Sequence, residues 1–137
     1  MYIIIAGCGK IGANLVKTLS NDGHDVVVID PNEESFAQLE NGTNCLTITG
    51  MSIDEDVLKS AGIERADALC AVTSDDNVNI MTAQIASQLY HVPHVVTRCY
   101  DPDKDAVLRQ MGLCTVCPTM LTVERISSLL GEPKESE

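Results

Sequence analysis

The residues with the clearest chemical potential are glycines near the start of the chain, in the sequence MYIIIAGCGKIGANLV. Gly7, Gly9 and Gly12 follow an apolar run and precede apolar residues at helical spacing, so the pattern predicts a strand, a tight turn and a helix. In such a turn the first glycine permits the bend, the second lets a pyrophosphate approach the backbone, and the third lets the helix pack against the strand. The loop, which includes Cys8 and Ile11, is therefore predicted to bind phosphate groups.

An acidic residue at the end of the second apolar run extends this pattern. Asp30 lies about 20 residues beyond the loop, where a carboxylate accepts hydrogen bonds from both hydroxyls of an adenosine ribose, and Pro31 follows it in the candidate site. The carboxylate would repel a 2′-phosphate, which disfavours NADP. The alternative role for Asp30 is a cap of the following helix. Lys10, within the loop, is either a solvated residue or a phosphate contact.

Polar residues also follow the fourth and fifth apolar runs, at the edge of the expected sheet where ligands bind. Thr73, Ser74 and Asp75 end the fourth run and are predicted to border the ligand crevice, although a helix cap explains the same residues in part. Arg98 closes the fifth run and is expected either to pair with a carboxylate in the crevice or to reach a phosphate group.

The composition limits the classes of partner. The chain has 137 residues, enough for one domain with a core, and 45% of them are hydrophobic. Its formal net charge of −11 and its few aromatic residues argue against nucleic acid as a partner. No apolar run approaches the roughly 20 residues that a bilayer requires, and the first run lacks the features of a signal peptide. We therefore expect a cytoplasmic protein that does not insert into the membrane.

The six cysteines are expected to be reduced, because most lie in apolar segments and no export signal precedes them. Cys114 and Cys117 have the spacing of a zinc or redox pair. A zinc site, however, requires a second pair of ligands, and residues three apart on a strand point to opposite faces. No metal site is predicted.

Apolar runs alternate with amphipathic segments along the chain, which is typical of a doubly wound α/β fold. Six strands are predicted, at Tyr2–Ala6, Asp25–Asp30, Cys45–Thr49, Ala68–Val72, His94–Arg98 and Thr115–Cys117. Five crossover helices are predicted, at Lys10–Asn21, Asn32–Asn41, Asp54–Ala61, Asp76–Tyr90 and Asp103–Met111. The near-continuous hydrophobicity of the strands predicts a six-stranded parallel sheet covered on both faces, in the Rossmann order 3-2-1-4-5-6.

Two helical faces carry further expectations. The apolar side of the fourth helix is predicted to consist of Val78, Met81, Ile85 and Leu89. After the nucleotide-binding domain, residues 1–118, a final helix is predicted over residues 119–130, and residues 131–137 form a polar tail or linker. The apolar face of the final helix requires burial, either on the protein's own sheet or on a dimer partner.

Catalytic machinery is not apparent beside the predicted crevice. No Tyr-x-x-x-Lys pair follows the fourth strand, and no Ser-His-Asp or Cys-His arrangement lies near it. Ala13 occupies the position where a Walker A motif requires lysine, so ATP hydrolysis has no support. The residues predict a nucleotide-binding protein that is not an enzyme, with the fragment of an NAD-dependent oxidoreductase as the alternative.

Six segments occur in order over nearly the whole chain: GCGKIG, VVVID, ITG, AGIERADALCAVTSDDNVNI, VVTRCYDPD and GLCTVCPT. Together they resemble the N-terminal domain of regulators of potassium conductance, the RCK or KTN (TrkA-N) module of Trk/Ktr-type potassium uptake systems. The fourth segment is the most specific, because ordinary dehydrogenases lack it. The resemblance implies a Rossmann domain that binds NAD(H) or an adenine nucleotide such as ATP, ADP or AMP. It also implies dimers, and in many members rings, beneath a membrane channel or transporter whose ion flow they gate.

The resemblance also implies a role for each candidate residue. Gly7, Gly9 and Gly12 would form the phosphate loop, Lys10 would reach phosphates, Asp30 would hold the ribose, residues 73–75 would border the crevice, and Arg98 would neutralise phosphate. The final helix would cross over to a dimer partner.

The chain departs from the family pattern after the third strand. The family usually has Gly-Asp there, with the acidic residue near the adenine, whereas this chain has Gly50 and Met51, both retained as candidate site residues. Many members also continue into a small C-terminal ligand domain beyond the point where this sequence ends. The leading hypothesis is a cytoplasmic nucleotide-binding subunit that gates a potassium transporter or channel at the inner face of the membrane. The further alternative is a nucleotide-binding protein unrelated to ion transport.

Overall fold

The computed structural model describes residues 1–39 and 43–131, which contain one six-stranded sheet. Its strands are Tyr2–Ala6 (β1), Asp25–Asp30 (β2), Cys45–Thr49 (β3), Ala68–Ala71 (β4), His94–Arg98 (β5) and Cys114–Val116 (β6). Every neighbouring pair is parallel, and the order is β3-β2-β1-β4-β5-β6. The predicted fold class and strand order are confirmed.

The helices of the described residues connect these strands and follow the last one. They are Lys10–Asn21 (α1), Glu55–Ser60 (α2), Asp76–Gln84 (α3), Pro102–Gln110 (α4) and Pro118–Gly131 (α5). In place of the predicted helix Asn32–Asn41 there is a shorter 3₁₀ helix, Glu33–Gln38, and Asn41 lies outside the described residues. The side chain of Asn32 caps this 3₁₀ helix by accepting a hydrogen bond from the Glu34 N–H.

Three strand boundaries, one in β4 and two in β6, were predicted one residue too late. β4 ends at Ala71 rather than Val72, and β6 spans Cys114–Val116 rather than Thr115–Cys117. After β4 the backbone pairing continues just past the strand, since the Val72 N–H still donates to the Ala6 carbonyl. Strand ends of this kind are the least determined part of any assignment from sequence.

Alternate residues of the central strands pack on opposite faces of the sheet, as the period of a strand requires. Ile4 and Val27 face a core completed by α2 and the α3 region, whereas Ile5 and Val28 face a core completed by α1. The prediction that both faces are covered therefore holds for the central strands. It is wrong for the edge strand β3, where Leu46 is 66% exposed.

The segment predicted as one helix, Asp76–Tyr90, is α3 followed by a π-helical segment at Ile85–Leu89. Its predicted apolar side was wrong for Met81 and Leu89, which are 51% and 60% exposed, whereas Val78 and Ile85 are half-buried and Ile85 packs against the core. The buried residues are instead Asn79, Thr82, Ala83 and Ala86. Alanines let the helix approach the sheet closely, and the two polar residues have hydrogen-bond partners inside the protein.

The last helix, α5, does not bury an apolar face on the protein's own sheet. All its residues from Leu121 to Gly131 are exposed, including Ile126 at 52% and Leu130 at 83%. The own-sheet alternative is therefore excluded for this helix. None of the helices in the described part of the chain combines the length and hydrophobicity needed to cross a bilayer.

Candidate functional site

A cleft of about 610 Å³ opens at the carboxyl ends of the central strands. It lies where the strand order reverses between β1 and β4, which is the place where open α/β sheets bind ligands. The predicted residues that line it are Gly7, Gly9, Lys10, Ile11, Asp30, Pro31, Gly50, Met51, Thr73, Ser74, Asp75 and Arg98. The other two predicted residues, Cys8 and Gly12, are buried and do not line it.

The cleft has two halves. The glycine-loop half comprises residues 7–12 and Asp30. The α3 half comprises the lining residues 73–75, Arg98 and Tyr100, together with Asp76 and Asn79, which support them from behind. The first is positioned mainly by backbone contacts and the second mainly by side chains.

The glycine loop packs as its spacing predicts. Gly7 has a φ of 111°, a conformation that favours glycine, and a Cβ on Gly12 would lie 1.8 Å from the Gly7 carbonyl oxygen. A Cβ on Gly9 would meet nothing within 4 Å. Gly9 is the N-cap residue of α1 and offers no side-chain cap, and no acidic residue occupies the first turn. The N-terminus of α1 is therefore free to bind an anion through its backbone N–H groups.

Asp30 fastens the glycine loop to the end of β2. One carboxylate oxygen accepts a hydrogen bond from the Cys8 N–H at 2.9 Å, and the other accepts one from the Asn32 N–H at 2.8 Å. Asn32, not Asp30, caps the 3₁₀ helix that follows. A carboxylate has about four lone-pair sites, so each oxygen can still accept a hydrogen bond from a ligand hydroxyl.

Cys8 supports the loop from behind. Its thiol is buried and lies 3.5 Å from the Ser35 carbonyl oxygen. Burial, then the charges of Asp30 and Cys45, raises the pKa of Cys8 to about 11. The thiol is thus protonated and unreactive at neutral pH.

The acidic residues of the α3 half hold neighbouring loops in place. Asp75 caps α3 by accepting hydrogen bonds from the Asn77 and Val78 N–H groups. Asp76 accepts from the Tyr100 N–H at 2.9 Å and the Asp101 N–H at 3.2 Å. These bonds join the turn after β4 to the loop after β5.

Arg98 brings a positive charge to the wall of the cleft. Its guanidinium donates to the Val72 carbonyl at 3.2 Å and lies 4.0 Å from the centroid of the Tyr100 ring. Nε is buried without a hydrogen-bond partner, and no carboxylate among the described residues forms an ion pair with Arg98. Burial lowers the pKa of Arg98 and the nearby Asp76 raises it, but a guanidinium remains charged in either case. Of the two roles expected for Arg98, pairing with a crevice carboxylate is therefore not found within the part of the chain that the structure describes.

Sequence reasoning missed several residues of the cleft: Ile29, Ser35, Ser52, Val72, Val78 and Tyr100. It also missed Asn79, a fully buried amide that bonds to Thr73 and Arg98. Ser52 is buried and its hydroxyl lies 2.8 Å from that of Thr82, which ties the loop after β3 to α3. Polar residues at helical spacing within an otherwise apolar region, such as Asn79 and Thr82, are the signal that could have indicated this network.

The cysteine pair gives no metal site in the described residues. Cys114 is exposed and Cys117 is buried, with its sulfur 3.7 Å from the Tyr100 carbonyl oxygen. Within residues 1–39 and 43–131, no group of three or more His, Cys, Asp or Glu side chains is arranged to hold a metal ion.

The donors and acceptors of the cleft fit a nucleotide. The uncapped N-terminus of α1 and the positive charge of Arg98, both at the cleft, suit phosphate oxygens, and the carboxylate of Asp30 suits hydroxyl groups. The model of the TrkA-N domain family matches residues 3–118. The chain belongs to the TrkA-N family. The resemblance inferred from the sequence is thereby confirmed.

Curated relatives agree with this assignment. The chain is 39% identical over 126 residues to the Trk system potassium uptake protein TrkA of Streptomyces coelicolor, covering 92% of this chain and 56% of the relative. It is 35% identical over 111 residues to a TrkA homolog of Pyrococcus abyssi, covering 81% and 49% of the two chains. This TrkA-N chain therefore spans about half the length of these relatives.

Solved structures share the fold. The TrkA-N domain of Escherichia coli ybaL superposes with a TM-score of 0.83 at 18% identity, covering 94% of this chain and 96% of that one. The AMP-bound C-terminal domain of Shewanella denitrificans Kef gives 0.80 at 20% identity, with coverage of 96% and 83%. The GsuK channel bound to NAD gives 0.70 at 25% identity, with coverage of 85% and 21%.

Proposed function

We propose that this TrkA-N domain binds an adenine nucleotide in its cleft, and that nucleotide binding regulates a membrane potassium transporter or channel. NAD(H), ATP, ADP and AMP are the candidate ligands. The names of the Streptomyces and Pyrococcus relatives support the link to potassium uptake. The NAD-bound GsuK channel supports the link between this fold, a nucleotide and a channel.

One observation carries the proposal: an uncapped helix N-terminus, an accepting carboxylate and an unpaired guanidinium line the same cleft. The N-terminus of α1 would hold the phosphates, because its N–H groups and its dipole favour negative charge. Arg98 would hold a phosphate from the opposite wall. Asp30 would accept hydrogen bonds from the ribose hydroxyls, and its charge would reject a 2′-phosphate.

The proposed role is sensing rather than catalysis. Asp30 and Cys8, in the glycine-loop half, are engaged in holding the loop, since Asp30 accepts two backbone hydrogen bonds and Cys8 is a buried thiol with a pKa of about 11. A non-catalytic domain can still regulate a partner if its two conformations bind the nucleotide with different affinities.

The proposed assembly is a homodimer or larger ring at the cytoplasmic face of the membrane. The exposed apolar residues of α5 support a contact with a second copy of the chain. A net charge of −11 disfavours adsorption to anionic lipid, so contact with the membrane would be made through the transporter or channel itself.

Isothermal titration calorimetry of the purified chain with ATP, ADP, AMP, NAD and NADH tests the proposal. We expect at least one of these to bind, and we expect Asp30→Asn to weaken that binding by roughly tenfold or more, because the amide cannot accept all the hydrogen bonds of the carboxylate. The matched control is Asp25→Asn, which removes an exposed carboxylate at the other end of β2 and should leave the Kd unchanged.

Two outcomes would contradict the proposal. A folded chain that binds none of the five nucleotides has no sensing role, and oxidation of NADH in the presence of carbonyl compounds would identify an enzyme. Sedimentation of the same samples tests the assembly. A chain that remains monomeric at high concentration, with and without nucleotide, would contradict the proposed dimer.

A further inference from the structure

Asn79 lies in α3, directly behind the wall of the cleft, and is fully buried. Its amide oxygen accepts a hydrogen bond from the Thr73 N–H at 2.8 Å and lies 2.6 Å from the Thr73 hydroxyl. Its amide nitrogen donates to the Thr73 carbonyl and to the Arg98 carbonyl, each at 3.0 Å. A single side chain therefore joins the ends of β4 and β5, which both contribute residues to the cleft.

The orientation of this amide is determined by its partners. The Thr73 N–H can only donate, so the atom facing it must be the amide oxygen. The carbonyls of Thr73 and Arg98 can only accept, so the atom facing them must be the amide nitrogen. No other common side chain of this size offers two acceptor sites and two donors in this arrangement.

The bonds of Asn79 extend to the glycine loop through Thr73. A Cβ on Gly7 would lie 2.9 Å from the Cα and the nitrogen of Thr73, so the backbones of these two residues are in close contact. Fixing Thr73 therefore fixes one side of the glycine loop. Fixing the Arg98 carbonyl fixes the residue whose guanidinium lines the cleft opposite the loop.

We propose that Asn79 is a positioning residue for nucleotide binding, which sets the separation between Thr73 and Arg98 without contacting the ligand. This inference rests on the proposed function of the cleft. It predicts that loss of the amide donor weakens nucleotide binding through Arg98, beyond any loss of stability.

The test is the Kd of ADP for the intact chain and for Asn79→Asp, measured by calorimetry between pH 5.5 and 8.5. In this variant the protonated carboxyl can donate one hydrogen bond to a facing carbonyl, whereas the ionised carboxylate repels both carbonyls. Burial raises the pKa of such a carboxyl from its ordinary value of about 4 into this range. We expect the ratio of the variant Kd to the parent Kd to increase with pH, by at most about tenfold per pH unit, which is the limit for one titrating group.

Dividing the variant Kd by the parent Kd cancels the titration of every group that the two measurements share. The ADP phosphates titrate equally in both measurements. The charged and titratable groups on α3, β4, β5 and the residues that flank them include Cys70, Asp75, Asp76, His94, Arg98 and Cys99, and both proteins carry them. Ile63→Ala is the control for stability, because Ile63 is buried in the core next to α2 and does not line the cleft. It should lower the Tm and leave the Kd ratio near one at every pH.

A double-mutant comparison tests the positioning role of Asn79 even if Asn79→Asp does not fold. Asn79→Ser is too short to reach the Arg98 carbonyl, and it introduces no charge. Arg98→Gln should weaken ADP binding by roughly tenfold in the parent chain and by clearly less in the Asn79→Ser background, because Arg98 is then already misplaced.

The possible results are distinct. A parent chain that binds ADP, together with a flat Kd ratio for a folded Asn79→Asp, would overturn the positioning role. Equal effects of Arg98→Gln in the two backgrounds would overturn it as well. A folded parent chain that binds no nucleotide would instead contradict the proposed function itself.

Discussion

The two halves of the cleft are built in different ways. In the glycine-loop half, close backbone contacts between Gly7 and Gly12 leave the N-terminus of α1 open, and one carboxylate, Asp30, secures the loop. In the α3 half, the backbone is held by side chains distant in sequence, chiefly Asn79 and Asp76. The shape of the glycine-loop half depends mainly on positions that lack a side chain. The shape of the α3 half depends mainly on hydrogen bonds made by side chains.

This difference has consequences for ligand response. A loop formed by packed glycines has few alternative conformations, because a shift of the backbone creates an overlap or a void. A hydrogen-bonded network of side chains can exchange partners at smaller cost, because each bond contributes only about 1 kcal/mol net. We therefore expect the glycine-loop half to act as the fixed wall of the cleft and the α3 half as the adjustable one.

The largest effect should come from breaking the fixed wall. Gly12→Ala would place a Cβ 1.8 Å from the Gly7 carbonyl oxygen, so β1 and α1 must separate. We expect the free energy of unfolding in urea to fall by about 3 kcal/mol or more.

Gly9→Ala is the matched control for this substitution. Its Cβ would meet no atom within 4 Å and its φ is −82°, so we expect the free energy of unfolding to change by less than about 1 kcal/mol. It should nevertheless weaken nucleotide binding, since the methyl group occupies space that a phosphate needs. Equal stabilities for the two alanine variants would contradict the packing described for Gly12.

The second-largest effect should be on ligand affinity, and it tests the α3 half as the adjustable wall of the cleft. Arg98→Gln removes the unpaired guanidinium, and we expect the Kd of ADP to rise roughly tenfold at low salt, because a charge-assisted hydrogen bond to phosphate is lost. The affinity of the variant should also depend less on salt than that of the parent, since one screened charge interaction is missing. Calorimetry at two ionic strengths measures both quantities.

Arg65→Gln provides the comparison for this variant. Arg65 lies over the Tyr2 ring, with its guanidinium carbon 5.1 Å from the ring centroid, at the amino ends of the strands. The substitution removes the same charge from the protein without changing the cleft. A similar loss of affinity in both variants would mean that overall charge, rather than the position of Arg98, governs binding.

The same contrast explains what the sequence could predict. The glycine loop and Asp30 form a short pattern in which each residue type has one geometric reason to be present, so fold, strand order and this half of the cleft were accessible. The α3 half was not, because hydrophobic periodicity placed Met81 and Leu89 inside, although both are exposed, and assigned no buried role to Asn79 and Thr82. An analysis of hydrophobic periodicity assigns an amide to the solvent side because it is polar. A buried amide is nevertheless stable where hydrogen bonds within the protein replace those to water. The partners that provide these bonds, Arg98 and Ser52, are distant in sequence.

The smallest effect concerns the connection between α3 and the loop after β3. Ser52→Ala leaves the Thr82 hydroxyl buried without its partner at 2.8 Å, and we expect a loss of about 1–2 kcal/mol in the free energy of unfolding. Thr82→Val in the same chain removes the orphaned hydroxyl and keeps the shape of the side chain, so the double variant should regain part of that loss. Urea unfolding of the two single variants and the double variant gives the coupling directly. Strictly additive losses would show that the two hydroxyls do not stabilise each other, and the loop that carries Met51 would then be positioned independently of α3.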